Sequence, residues 1–130
     1  MALSGSFYNY PVKSFGLYCE WSASQSVTGN YSNVTLKVYL SYWDLYVGAR
    51  DDGVINIAGN SSNFSTAAIS ESSSGWKKKL IAQKTVTVYH DGNGNANCYL
   101  GASWRFSGTY SGTSIGTITA EQTVSLDKLD

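Results

Sequence analysis

The residues best suited to chemistry in this chain are large flat rings and charged groups that follow one another closely between positions 42 and 52. Aromatic rings stack on the apolar faces of pyranoses, while carboxylate and guanidinium groups hydrogen-bond sugar hydroxyls. The segment therefore predicts a carbohydrate-binding site. Its predicted residues are Tyr42, Trp43, Asp44, Tyr46, Arg50 and Asp52.

Alternation offers a second interpretation of the same segment. Trp43, Leu45 and Val47 occupy every second position, which on a strand would place Trp43 in the core and turn its neighbours Tyr42 and Asp44 outward. Packing between neighbouring strands on an exposed sheet face also explains outward rings without any ligand. Further outward rings are predicted at Tyr18, Tyr39 and Tyr99.

Two motifs associated with catalysis or metal binding fail in their context. Residues 112–116 match the G-x-S-x-G pattern around Ser114, but the motif needs a following helix and a later histidine, and the single histidine, His90, comes earlier. Asp91, Asn93 and Asn95 have calcium-loop spacing, yet the glycine and the bidentate glutamate of that loop are missing. These residues are predicted to form a hairpin turn, and no metal or cofactor is predicted.

Acid-base chemistry has no clear sequence signal either. His90 and Asp91 are adjacent and would point to opposite faces of a strand, so His90 is predicted to be structural. Carboxylates such as Asp44, Asp51 and Glu71 could be brought together by the fold as a glycosidase pair, but nothing in their spacing favours it. No catalytic residue is predicted, and the chain is expected not to be an enzyme.

The composition of the chain excludes further classes of function and partner. The 130 residues carry nine basic and nine acidic side chains, so the zero net charge provides no field for nucleic acid. No apolar run is long enough to cross a membrane. Two cysteines, Cys19 and Cys98, are predicted to point into the core, and a disulfide between them remains an alternative. The length fits one domain over residues 1–130, whether or not it belongs to a longer chain.

Period-2 alternation dominates the chain and predicts strands. The predicted strands are residues 15–22, 34–40, 54–58, 80–89, 97–106, 115–120 and 123–129. Residues 28–30, 51–53, 59–63, 72–75 and 91–95 are rich in Gly, Asn, Asp and Ser and are predicted as turns, with residues 69–75 as a surface loop. We expect an all-β antiparallel sandwich, jelly-roll or immunoglobulin-like, with seven or eight strands and little or no helix.

The order of several motifs is similar to that of a known family. Trp21 leads into a polar segment, a strand follows at 34–40, and Ile-Asn-Ile-Ala-Gly stands at 55–59. A Thr/Val strand then enters the His-Asp-Gly-x-Gly turn at 90–94. This chain resembles, over residues 15–126, β-sandwich domains of uncharacterised function in tail-tip and receptor-binding proteins of phages of Gram-positive bacteria. It departs from the family at residues 122–130, which lack the usual closing Pro-Arg motif.

The resemblance implies a virion tail or extracellular location, neighbouring domains of a tail or adhesin protein, oligomerisation through the parent chain and binding of bacterial cell-wall or surface saccharide. Together with the rings at 42–46, it leads us to expect a non-catalytic carbohydrate-binding module for host recognition. A purely structural spacer or oligomerisation domain is the alternative, and a glycosidase is a third.

Overall fold

A computed structural model describes residues 3–110 and 112–129, which form eight strands in two four-stranded antiparallel sheets. This confirms the predicted β-sandwich. The described residues include no helix, and hence none that is long and apolar enough to span a membrane. The strands are β1 (Ser4–Val12), β2 (Phe15–Ser26), β3 (Tyr31–Val47), β4 (Arg50–Ile57), β5 (Asn60–Thr66), β6 (Ile69–Tyr89), β7 (Asn97–Tyr110) and β8 (Thr113–Ser125).

The first sheet has the strand order β1-β2-β3-β6 and the second has the order β5-β4-β7-β8. Hairpins join most neighbours, while the pairings of β3 with β6 and of β4 with β7 are distant in sequence. These two long-range pairings, one in each sheet, tie the sequential hairpins together. The inner faces of the two sheets enclose a single hydrophobic core.

The core follows from the alternation of the central strands. In β2, Phe15, Leu17 and Cys19 are buried while the residues between them face outward. Phe15 packs edge-on against Trp104 and Tyr110 of β7, at ring-centroid distances of 6.5 and 5.1 Å. Such aromatic pairs contribute about 0.5–1.5 kcal/mol beyond the area that they bury. The contacts therefore help to hold the two sheets together near the end of β7.

Several strand predictions are wrong, and the errors concentrate at the sheet edges. Strand β1 was not predicted, and residues 60–63 and 69–75 lie in β5 and β6 rather than in turns. An edge strand has only one neighbour and needs no continuous apolar face, so a polar segment such as β5 gives no alternation signal. Residues 51–53 lie in β4 rather than in a turn, and residues 115–120 and part of 123–129 form the single strand β8.

The interpretation that placed Trp43 in the core is also wrong. Tyr42 is buried with 2% of its surface exposed, whereas Trp43 is 40% exposed. The pairing of β3 with β6 shifts between Tyr42 and Asp44, which marks a β-bulge. Residues 73–76 of β6 stand opposite Trp43 alone, and across this bulge the inward and outward positions of β3 reverse. The buried apolar residues therefore fall on even numbers up to Tyr42 and on odd numbers from Leu45.

Residues 91–95 form a turn as predicted, but it is not a hairpin, because it joins β6 of the first sheet to β7 of the second. Asp91 Oδ1 accepts hydrogen bonds from the backbone N–H groups of Asn93 and Asn95, both at 2.9 Å. These bonds hold the pKa of Asp91 below its ordinary value. Both cysteines are buried and free, so no disulfide joins Cys19 to Cys98.

Candidate functional site

The structure separates the six predicted site residues instead of bringing them together. Tyr42 lies in the core, and its hydroxyl donates a hydrogen bond to Glu71. Burial raises the pKa of Tyr42, and the nearby carboxylate raises it further. Tyr42 is thus a structural residue whose buried ring is not accessible for stacking on a sugar.

Arg50 and Asp52 belong to the second sheet, where they contact β7. Arg50 Nε donates to the carbonyl oxygen of Phe106 at 2.9 Å, and its guanidinium lies 5.8 Å from the centre of that ring. Asp52 lies 3.9 Å from Arg105 in an exposed ion pair. Arg50 satisfies a backbone carbonyl next to the irregularity of β7, between Arg105 and Gly108, so its guanidinium is already used within the fold.

Trp43 and Asp44 line an open recess at the end of the sandwich. The recess has a volume of about 360 Å³, and its other lining residues are 11–14, at the end of β1 and in the β1–β2 connection, and Thr113 at the start of β8. We call it the Trp43 recess. The backbone N–H of Trp43 donates to the carbonyl oxygen of Ser14 at 3.0 Å, which fixes the connection against the bulge of β3. Tyr46, by contrast, is exposed and does not line the recess.

One hydroxyl in the Trp43 recess is unusual. Ser14 is the only buried residue among those that line it, and its Oγ has no hydrogen-bond partner among the described residues. Leaving a buried hydroxyl unpaired costs about 1–3 kcal/mol. Close by, Asp44 Oδ2 accepts a hydrogen bond of 3.2 Å from the hydroxyl of Tyr110, across the two sheets. Burial and the negative charge of Asp44 raise the pKa of Tyr110.

A row of large side chains lies on the outer face of the first sheet. Tyr8 of β1 pairs with Tyr18 of β2, Tyr18 pairs with Tyr39 of β3, and Tyr39 pairs with Leu80 of β6. This row crosses all four strands, a span of about 14 Å at the usual strand spacing. Tyr8 is 66% exposed and Leu80 is 48% exposed.

Two more rings extend the row. Tyr10 packs edge-on against Tyr8 at 5.5 Å and against Trp76 at 5.6 Å, although β1 and β6 are the two outer strands of the sheet. The contact crosses the sheet where Gly16 leaves room, because a Cβ atom there would lie 2.6 Å from the ring of Tyr10. Trp76 is 55% exposed. We call Tyr8, Tyr10, Tyr18, Tyr39, Trp76 and Leu80 the aromatic face.

Charged groups are placed among these rings. Lys78 Nζ lies 5.0 Å from the ring centres of both Tyr18 and Tyr39 and forms a 3.0 Å ion pair with Glu20. The hydrogen bond to Glu20 raises the pKa of Lys78. The aromatic face therefore combines apolar ring surface with one cation and one anion in its centre.

The outer face of the second sheet has a different character. Tyr99 is its one exposed large ring among the described residues, and the hydroxyl of Tyr99 donates a 2.6 Å hydrogen bond to Glu121. Its neighbours are small, such as Asn56, Gly101 and Ser103. Exposed aromatic surface thus accumulates on one side of the sandwich.

The motifs considered for catalysis lie in structural settings. Ser114 is exposed on β8 and pairs with Thr109 of β7, so the G-x-S-x-G segment is followed by strand rather than helix. Both ring nitrogens of His90 are hydrogen-bonded within the fold, to Ser32 and Gly94. Within residues 3–110 and 112–129, no group of three or more His, Cys, Asp or Glu side chains could hold a metal ion.

In comparisons with known proteins, no protein-family model, no curated protein and no solved structure matches this chain.

The sequence prediction missed Ser14, Tyr8 and Tyr10. Strand alternation does place Tyr8 and Tyr10 on one side of β1, but that strand was not recognised, because its flanking Ser, Gly and Asn residues resemble a loop. Ser14 had no detectable signal, since a hydroxyl without a partner is a property of the packed structure alone.

Proposed function

We propose that this domain is a non-catalytic carbohydrate-binding module that serves host recognition in a phage tail or cell-surface protein. The observation that carries the proposal is the aromatic face, in which the rings of Tyr8, Tyr18 and Tyr39 stand in register on three strands of one sheet and Leu80 continues the row on the fourth. Pyranose rings present apolar C–H faces that stack on aromatic rings. A row of such rings suits a polysaccharide chain better than a small isolated ligand.

The solvent exposure of the rings on the aromatic face supports this proposal. Soluble proteins rarely expose large continuous apolar patches, and those that do usually bind something there. The rings with the most exposed surface on this face, Tyr8 and Trp76, keep more than half of their surface accessible to solvent. The outer face of the second sheet exposes one large ring among the described residues, Tyr99, so the rings of the aromatic face do not reflect a general excess of aromatic side chains on the surface.

The ion pair at the centre of the face supports a sugar as the ligand. Lys78 and Glu20 are both exposed, and because solvent screens such a surface pair, it contributes little to stability. The two groups can therefore exchange their mutual contact for sugar hydroxyls at little cost. A ligand covering Tyr18 and Tyr39 would displace the ammonium of Lys78 from the rings and hydrogen-bond to it.

The phage tail or extracellular location rests on the resemblance of the motif order between residues 15 and 126. In that setting the ligand is a cell-wall or surface saccharide of a Gram-positive bacterium. The domain would bind this polymer without cleaving it.

The test is binding of the purified domain to cell walls and to soluble wall polysaccharide, measured by co-sedimentation and by isothermal titration calorimetry. The double variant Tyr8→Ala/Trp76→Ala is expected to lose at least about tenfold in affinity, because two stacking rings are removed. The matched control is Tyr89→Ala, which removes a ring that is 71% exposed at the other end of β6.

Wild-type protein that binds no wall polysaccharide would refute the proposal. If the same protein then forms oligomers that the double variant Tyr8→Ala/Trp76→Ala does not form, that result would identify the domain as a structural spacer that packs its aromatic face against a second chain. Release of reducing sugar from the polymer would instead identify a glycosidase.

A further inference from the structure

We infer that the Trp43 recess is a separate subsite that binds a single sugar residue, at the end or on a branch of the polymer. The inference rests on the proposed function, because it assumes a saccharide ligand. It concerns a different set of residues from the aromatic face, on the bulge of β3 and on the β1–β2 connection.

The unpaired hydroxyl of Ser14 is the first argument. Ser14 is 6% exposed, and its Oγ finds no partner in the part of the chain that the structure describes. Buried polar groups are nearly always hydrogen-bonded, so an exception requires an explanation. A hydroxyl can both donate and accept, so a rotation of the buried Ser14 side chain toward the recess would give it a sugar hydroxyl as its partner.

Asp44 supplies the second polar group. Its Oδ2 atom receives a hydrogen bond from Tyr110 at 3.2 Å, which holds the carboxylate in place across the two sheets. An ionised carboxylate can accept about four hydrogen bonds, so it retains capacity for ligand hydroxyls. Hydrogen bonds to a charged acceptor are roughly twice as strong as neutral ones. Two neighbouring hydroxyls of a pyranose match such an acceptor.

Trp43 supplies an apolar wall. Its indole Nε1 donates to the carbonyl oxygen of Lys13 at 3.3 Å, which restrains the ring, and 40% of the residue remains exposed. Lys13 is exposed, also lines the recess and carries an ammonium group that can donate hydrogen bonds. A restrained ring, a fixed carboxylate and an unpaired hydroxyl together form the combination of stacking and directed hydrogen bonds that recognises a sugar.

The size and position of the recess fit one sugar residue attached to a longer chain. Its volume of about 360 Å³ lies at the lower end of the range for small-molecule sites. Pro11, which lines the recess, directly follows Tyr10 of the aromatic face. A polysaccharide on the aromatic face could therefore place a terminal or branching residue in the recess.

The test titrates the domain with methyl glycosides of hexoses, 6-deoxyhexoses and N-acetylhexosamines, following the indole N–H resonance of Trp43 by NMR. At least one glycoside is expected to shift this resonance in the wild type. Asp44→Asn should weaken that binding by about tenfold, since a charged acceptor is lost. Asp52→Asn, on the second sheet, is the matched control and should leave the affinity unchanged.

Ser14→Ala distinguishes a binding role from a structural one. Removing an unpaired buried hydroxyl should leave the melting temperature unchanged or raise it, while weakening glycoside binding by about three- to tenfold. A structural hydroxyl would do the opposite, lowering the melting temperature with no effect on binding. Ser22→Ala, at an exposed serine of β2, is the control for both measurements.

The two proposals fail in different ways. If no glycoside shifts the indole N–H resonance of Trp43 while the protein still binds wall polysaccharide, the subsite proposal is overturned. The proposed function is then unaffected. If the double variant Tyr8→Ala/Trp76→Ala abolishes glycoside binding, the subsite proposal is also overturned, because the sugar would then lie on the aromatic face. Absence of binding to both polymer and glycosides overturns both proposals.

Discussion

His90 Nε2 lies 2.6 Å from the hydroxyl oxygen of Ser32 inside the protein, and this contact joins the residue after β6 to the start of β3. The other ring nitrogen, Nδ1, lies 2.8 Å from the carbonyl oxygen of Gly94 and must donate to it, since a carbonyl only accepts. In the tautomer with the proton on Nδ1, Nε2 accepts a hydrogen bond from the hydroxyl of Ser32. This pair anchors the β6–β7 connection to the core and uses the single histidine of the chain for structure.

Ser32→Ala is expected to lower the free energy of unfolding by about 1–3 kcal/mol, because it leaves a buried ring nitrogen of His90 without a partner. Urea denaturation followed by tryptophan fluorescence measures this change. Ser22→Ala, at an exposed position, should stay within about 0.5 kcal/mol of the wild type. Equal stability of the two variants would contradict the structural role of the pair.

Gly94→Ala is expected to be strongly destabilising. Gly94 has a φ angle of +82°, which costs an alanine about 1–2 kcal/mol, and a Cβ atom there would collide with the carbonyl oxygen of Leu129. Gly92→Ala is a matched control two residues earlier, because nothing lies within 4 Å of its added Cβ. Thermal unfolding should show a lower melting temperature for Gly94→Ala alone, and a similar decrease in both variants would refute the argument.

The turn at Asp91 predicts a pH dependence of stability. The backbone N–H groups of Asn95 and Asn93 lower the pKa of Asp91 from its ordinary value of 3.8. A lowered pKa in the folded state stabilises the protein above the pKa of the unfolded chain, and this contribution is lost as the pH falls through the folded value. The free energy of unfolding of the wild type should therefore decrease below about pH 4.

Asp91→Asn tests this dependence, because the amide oxygen can still accept both hydrogen bonds but carries no charge. Its unfolding free energy should change less between pH 5 and pH 2 than that of the wild type. Gly92→Ala, which keeps the carboxylate, should follow the wild-type profile. Parallel profiles for Asp91→Asn and wild type would show that Asp91 does not contribute.

Both cysteines are expected to be unreactive in the folded protein. Burial raises the pKa of Cys19 to about 12 and that of Cys98 to about 11, and the thiolate is the reactive form. An Ellman titration at pH 8 should detect no thiol in native protein and both thiols in denaturant. Rapid reaction of either thiol before unfolding would contradict the packing around it.

The architecture was predictable where one face of a strand is buried. The alternation in β2, β3 and β7 reports directly which side chains enter the core, because burial of apolar surface selects them. The edge strands β1 and β5 gave no such signal, since most of their residues are exposed on both faces. The turn at 91–95 was predictable from local chemistry, because Asp91 bonds to backbone within its own loop.

The site was less predictable. Tyr42 and Trp43 were selected as site residues from the sequence, but the bulge next to them exchanges their inward and outward positions. A bulge of this kind has no reliable sequence signal. Arg50 and Asp52 are near Asp44 in sequence, yet β4 carries them to the other sheet. Neighbours in sequence were thus mistaken for neighbours in space.

By itself the sequence determined that this chain is a β-sandwich, that both cysteines point inward and that a tight turn follows the single histidine. These properties follow from local alternation and turn chemistry. Only the tertiary structure decided that Tyr8, Tyr18, Tyr39 and Leu80 form one row and that Ser14 is left unpaired beside Asp44. Alternation tells which face a residue occupies, whereas strand order and register, set by pairing and core packing along the whole chain, decide which residues meet on that face.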